Sequence, residues 1–208
     1  GVEYRQPAEF DPNFICDLSA RMSEGVRDFP YMMYEGGHCV EPGADAEVLA
    51  RIGKPYFNRT WDHFCSHGPT PLDRVTDHPA IVRRENVVYF AHPVCRLYAE
   101  QGARIYRQLI HNSISCLRPD PLLKDNLPST ARIGLLRQND PERMILHVLN
   151  YVAERRGEVE VIEEPQTVVD AEMSVRTAGK PQQVYLAPER ESVEFSFSEG
   201  YSTVKLNE

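Results

Sequence analysis

The sequence predicts a mixed α+β protein, with a partial α/β domain of three-layer type over residues 1–122 and a small antiparallel β-sandwich over residues 123–208. Three observations lead to this division. Val87-Val88-Tyr89-Phe90-Ala91 is an apolar run without alternation, the pattern of a strand covered on both faces. Soon after it, Ile105, Leu109, Ile110, Ile114 and Leu117 fall on one stripe at helical spacing. Beyond Pro128 the hydrophobic period changes to two, which is the spacing of half-buried strands.

The elements follow in chain order. Residues 1–60 are punctuated by Pro7, Pro12, Pro30, Pro42 and Pro55, and Gly36-Gly37 reads as a turn. Pro30 to Glu35 predicts a short aromatic strand, and Ala44 to Ile52 fits either a helix or a strand. So proline-rich a stretch is expected to hold no large core by itself. Ala80-Ile81-Val82 and Val87 to Phe90 flank Arg83 to Asn86, which predicts a hairpin or a strand after a turn. His92-Pro93 ends the strand, and Arg118-Pro119-Asp120-Pro121 stops the helix, because each proline disfavours helix before it. Asn139-Asp140-Pro141-Glu142 is a turn between two strands, Arg132 to Gln138 and Arg143 to Val152. Strands are expected again at Glu158 to Ile162, Val168 to Val175, Gln183 to Leu186, Val193 to Phe197 and Tyr201 to Leu206. Short strands with polar turns at this spacing argue for a sandwich.

Composition narrows the function. The net charge of −8 lacks the basic face that a nucleic-acid backbone requires. No apolar run reaches the roughly 18 residues that cross a membrane as a helix. The start, Gly1-Val2-Glu3-Tyr4, carries no targeting segment, which leaves the compartment undefined. Five cysteines (Cys16, Cys39, Cys65, Cys95, Cys116) without CxxC pairing suggest buried thiols rather than a disulfide framework. There is no glycine-rich phosphate loop, no nucleophile elbow and no HExxH, so neither cofactor nor catalytic residue is expected. The carboxylates at Glu163-Glu164 and at Glu189 and Glu191 sit in turn-like, solvated sequence.

One cluster could contact a ligand. Residues 56–67 hold the single tryptophan, and Trp61, Asp62, His63 and Asn58 are candidates for a saccharide-facing wall, an aromatic ring to stack with polar groups beside it. If the segment is extended, His63, Cys65 and His67 share one face and form a weaker candidate for a metal site. The fourth ligand would come from His38, Cys39, His78 or His92.

These same segments carry a resemblance. Pro30-Tyr31-Met32-Met33-Tyr34-Glu35 and Pro55 to His67 resemble bacterial glycoside hydrolases related to the family 42 β-galactosidases. Asn86 to Pro93, with Tyr98 and Gly102, is similar to the closing strand and helix of their trimerisation-like domain, whose fold is class I glutamine-amidotransferase-like. Leu127-Pro128-Ser129, Arg143 to Tyr151 and Val184 to Pro188 resemble their C-terminal sandwich. The resemblance implies a non-catalytic structural and oligomerising region whose partners are a parent catalytic barrel and further copies, with carbohydrate as a candidate ligand. Neither the barrel nor its catalytic carboxylates lie in these 208 residues.

Overall fold

The computed structural model describes residues 1–67 and 70–206. The chain divides into two compact units, Gly1–Asp120 and Pro121–Glu208.

Unit 1 is built on antiparallel strands. β1 (Val2–Pro7), β2 (Asn13–Cys16), β3 (Tyr31–Met33), β4 (His38–Pro42), β5 (Glu47–Pro55), β6 (Leu72–Arg84) and β7 (Val87–Phe90) precede the helices α1 (Val94–Gln101) and α2 (Arg104–Leu117). The main sheet has the order β3-β2-β5-β6-β7, and β1 pairs separately with β4. Every pairing is antiparallel. This overturns the expected three-layer α/β domain, and with it the glutamine-amidotransferase-like reading. The apolar run at 87–90 misled because an unalternating strand can lie at a sheet edge. β7 is such an edge, closing a hairpin on β6 through Glu85 at positive φ, and its Val87 is 63% exposed.

The core forms where both helices meet the sheet, around Ile15, Met33, Leu49, Ile81, Leu97, Tyr106 and Leu109. The proline-rich opening supplies part of that core and shares it with residues 80–109. Of residues 44–52, those from Glu47 onward lie in β5, with Leu49, Ala50 and Ile52 buried. In α2 the buried face is Tyr106, Leu109, Asn112 and Ser113, while Ile114 is 59% exposed. The stripe is rotated because the polar members find partners. Asn112 Nδ2 donates to Met22 O (2.8 Å) and Glu24 O (2.9 Å), and Ser113 Oγ donates to Leu109 O (2.8 Å). A buried polar group with partners costs little.

Unit 2 is antiparallel β among its described residues. β8 (Leu123–Asp125), β9 (Arg132–Asn139), β10 (Glu142–Leu149), β11 (Glu154–Arg156), β12 (Val159–Val161), β13 (Ala171–Arg176), β14 (Tyr185–Leu186), β15 (Glu191–Ser192), β16 (Phe195–Ser198) and β17 (Tyr201–Leu206) follow in order. A four-stranded sheet runs β16-β17-β13-β8, and β9–β10, β11–β12 and β14–β15 form two-stranded ladders. Its interior is thin, with Ala171, Met173 and Tyr201 buried. Tyr201 donates its hydroxyl to Pro121 O (2.7 Å), and Lys124 Nζ lies 4.1 Å from its ring centroid.

Gly37 shows how tightly unit 1 is drawn together. It has φ of 72°, and a Cβ there would stand 2.3 Å from Ala91 O, the acceptor of the His38 N–H. Gly37→Ala should therefore destabilise unit 1 by about 3 kcal/mol, combining left-handed strain with a backbone clash. Gly179→Ala, where nothing lies within 4 Å of the new Cβ, should change little. Urea unfolding of the two variants checks the contrast.

Candidate functional site

The segment 56–67 is a loop, not the extended strand that would align His63, Cys65 and His67. Thr60 folds the chain back, its N–H donating to His63 O (2.9 Å) while its Oγ1 accepts from the His63 N–H (3.2 Å). Thr60 Oγ1 also donates to Asp62 Oδ1 (2.5 Å), and that bond is the main reason the Asp62 pKa is lowered. His63 Nδ1 lies 3.6 Å from Asp62 Oδ2. Cys65 Sγ donates to His67 O (3.2 Å), Arg59 Nη1 donates to the same carbonyl (3.0 Å), and the Arg59 guanidinium stacks 4.9 Å from the Phe64 ring centroid. Among the described residues no group of three or more His, Cys, Asp and Glu side chains is placed to hold a metal.

The loop leaves its aromatic groups outside. Trp61 is 94% exposed, Phe64 67% and Tyr56 62%. Asn58, expected to face a ligand, instead tethers the loop: its Nδ2 donates to Glu9 O (2.9 Å) and its Oδ1 accepts from the Asp11 N–H (3.1 Å). Trp61, Asp62 and His63 thus sit together on a loop braced from within and tied to residues 9–11.

Asp11 also borders a feature that sequence reasoning missed. Pro7, Ala8 and Asp11, Glu35–His38, and Phe90–Pro93 with Arg96 surround a cleft of ≈ 330 Å³. Beneath it, Asn13 Nδ2 donates to Gly36 O (2.8 Å) and Phe10 O (3.2 Å), and Asn13 Oδ1 accepts from His92 Nε2 at 2.7 Å. The Arg96 guanidinium pairs with Glu35 at the rim. His92-Pro93 and Gly36-Gly37 are visible in the sequence as breaks, but nothing in the sequence brings the two breaks together.

Burial, and secondarily the charge of His38, lowers the His92 pKa from 6.5 to about 4. Cys16, also buried, has its thiol pushed up to about 11 by burial first and Asp17 second. Cys16 and Cys39 are buried as the sequence suggested, whereas Cys95 is exposed.

No family model and no curated protein matches the chain. Among solved structures it is similar to α-L-fucosidase isoenzyme 2 from Paenibacillus thiaminolyticus, with a TM-score of 0.90 and 28% identity. The likeness is to part of a glycoside hydrolase. It covers 100% of this chain and 32% of the fucosidase chain, so this chain spans about a third of that length. The glycoside hydrolase relationship is thereby supported, and kinship with family 42 in particular is not shown.

The folded His92 pKa lies below the unfolded value, so unfolding takes up a proton as pH falls through 6.5, and stability is lost down to about pH 4. From pH 7 to 5 this one group should cost about 2 kcal/mol. His92→Gln, which keeps a donor for Asn13, should remove most of that dependence. Unfolding titrations at the two pH values check it, and an unchanged slope in the variant would refute the assignment.

Proposed function

We propose that this chain is a non-catalytic accessory region of a glycoside hydrolase, packing beside a catalytic barrel and supporting its assembly into oligomers. The observation that supports this reading is the full-length likeness to one third of a fucosidase chain. The sequence resemblance to enzymes related to the family 42 β-galactosidases points to the same class of parent. The sites described are also built for packing and tethering. Asn58 is committed to the backbone of Glu9 and Asp11, and His92 is committed to Asn13. Hydrolysis of a glycoside requires two carboxyl groups at a set separation across the scissile bond. In this reading that pair belongs to the parent's barrel.

A second reading is favoured by Trp61. A tryptophan 94% exposed on an internally braced loop is a ready stacking platform for a sugar ring. The loop would then form an aromatic wall of the parent enzyme's carbohydrate site, with Asp62 and His63 beside it.

Two measurements test these readings. The chain alone should not turn over aryl α-L-fucosides, β-galactosides or other aryl glycosides, and sustained turnover would end the accessory reading. Trp61 is the sole tryptophan, so its fluorescence reports on the loop without ambiguity. A saturable change with fucosides, galactosides or oligosaccharides supports the aromatic wall, and a flat response rejects it for the isolated chain. Trp61→Ala should leave stability within about 0.5 kcal/mol of wild type, because the ring is already in water.

A further inference from the structure

The outermost strand of an antiparallel sheet leaves half of its backbone groups unused, and proteins usually blunt such edges with charge, proline or a bulge. The four-stranded sheet of unit 2 ends in β8 on one side and β16 on the other. β8 is Leu123-Lys124-Asp125, two of whose three residues are charged. β16 is Phe195-Ser196-Phe197-Ser198, without charge or proline, and its register on β17 runs without a bulge. Ser196 and Ser198 are exposed, and Phe197 is 37% exposed.

Hairpin geometry shows which groups of that edge are free. Ser198 and Tyr201 pair across the turn Glu199-Gly200, whose two residues both have positive φ, as a type I′ turn requires. The residues flanking such a turn exchange both backbone bonds, and bonded pairs then alternate along the ladder. Ser198 and Ser196 thus turn their N–H and C=O towards β17, while those of Phe197 and Phe195 point outward. Val193 continues the alternation, its N–H donating to Val184 O (2.9 Å). After Val193, no backbone bond among the described residues reaches the outer side of β16. Lys180 Nζ stands 5.8 Å from the Phe195 ring centroid. The open stretch is short, bounded by Val184 at one end and by the turn at the other.

That stretch is complementary to itself. In a two-fold antiparallel pairing, an axis between two residues would oppose each Phe to a Ser and set apolar faces against polar ones. An axis through Phe197 would oppose Phe195 to Glu199 of the turn. An axis through Phe195 would need Val193, whose N–H is already used. An axis through Ser196 opposes Phe195 of each copy to Phe197 of the other. It allows four N–H···O=C bonds and two aromatic cross-strand pairs. Charge favours the same register. Two copies of a chain of net charge −8 repel, but here Glu194 meets Ser198 and Glu199 meets Val193, so no carboxylate faces another. We propose that β16 is a self-pairing edge that joins two copies of this chain about a two-fold axis through Ser196, an isologous interface. The inference names a surface for the assembly proposed above, and it rests on that reading only for its role. Its test uses no glycoside, so the two can fail separately.

Four backbone bonds and a narrow edge fall short of the roughly 1,200 Å² of a stable interface, so the association should be weak, with a Kd between about 10 µM and 1 mM. Sedimentation equilibrium of the chain over that range should show reversible monomer and dimer. Ser196→Lys, which sets like charges opposite each other at the axis, should weaken the dimer about fivefold or more, and Val169→Lys, at an exposed site outside β16, should not. Cross-linking reads the register, with Cys65 and Cys95 replaced by serine. Residues opposed at the axis have Cα atoms about 4.5 Å apart, within disulfide reach, so Ser196→Cys should yield a covalent dimer on mild oxidation. Ser198→Cys should not, because its two copies would lie about 13 Å apart along the strands. Both serines are exposed, so the variants should keep the fold, and an unchanged melting temperature checks it. The proposal is overturned if the chain stays monomeric up to about 1 mM. It is equally overturned if Ser198→Cys cross-links as readily as Ser196→Cys, or if a dimer forms that Ser196→Cys does not capture.

Discussion

The buried contact between Asn13 and His92 is the constraint on which unit 1 depends. It joins residues 79 positions apart, at 2.7 Å, where β2 begins and just before α1 begins. Asn13 holds the carbonyls of Phe10 and Gly36 with its other end. Three backbone segments are thus fastened by two buried side chains. Such a lock is strong only while complete, since an unpaired polar group in the interior costs about 1–3 kcal/mol. It also explains the glycines beside it. A Cβ on Gly36 would stand 2.4 Å from Phe10 O, so the amide can reach across only if that position has no side chain.

Much of this architecture was legible locally and little of it globally. The β6–β7 hairpin, the extent of α2 and the β9–β10 hairpin each followed from turn residues and hydrophobic period. The sheet they belong to did not. An apolar run such as Val87 to Phe90 is compatible with a central parallel strand or with an antiparallel edge packed on a helix. Periodicity reports which side chains are apolar, not which strand lies alongside. Residues 13–16 and 47–55 are strands whose pairing is long-range and broken by prolines or bulges, so the part the first sixty residues play in the core is not legible locally. The rotated face of α2 has the same origin. Asn112 and Ser113 count as polar until the carbonyls of Met22 and Glu24 arrive to satisfy the asparagine.

The functional candidates divide along a similar line. Residue type alone singled out Trp61, Asp62 and His63, and they do share one exposed loop. Asn58, of equally suitable chemistry, is absorbed as a tether, because an amide two or three residues from a turn commonly bonds the backbone. The geometry that would have set His63, Cys65 and His67 in line required an extended chain, and Thr60 prevents it by capping a turn on itself. His92, Glu35 and Arg96 carry no motif. Only the fold brings them to one cleft.

The loop and the cleft are mechanically joined, and this bears on how either could act in a larger enzyme. Asn58 grips Glu9 and Asp11, Asp11 accepts the Gly36 N–H at 2.8 Å, and Gly36 is held by Asn13, which holds His92. The chain of bonds from the base of the aromatic loop to the floor of the cleft is continuous, and its inner half is buried. An exposed tryptophan gains little from a fixed position in water, whereas a recognition element gains affinity from being ordered before contact, since less entropy is then lost on binding. Bracing an otherwise solvent-facing loop against a buried hydrogen-bonded lock is what the proposed aromatic wall would require. Whatever meets Trp61 would meet a surface whose orientation is set by Asn13 and His92, and loosening that lock should be felt at the loop before it is felt in the strands.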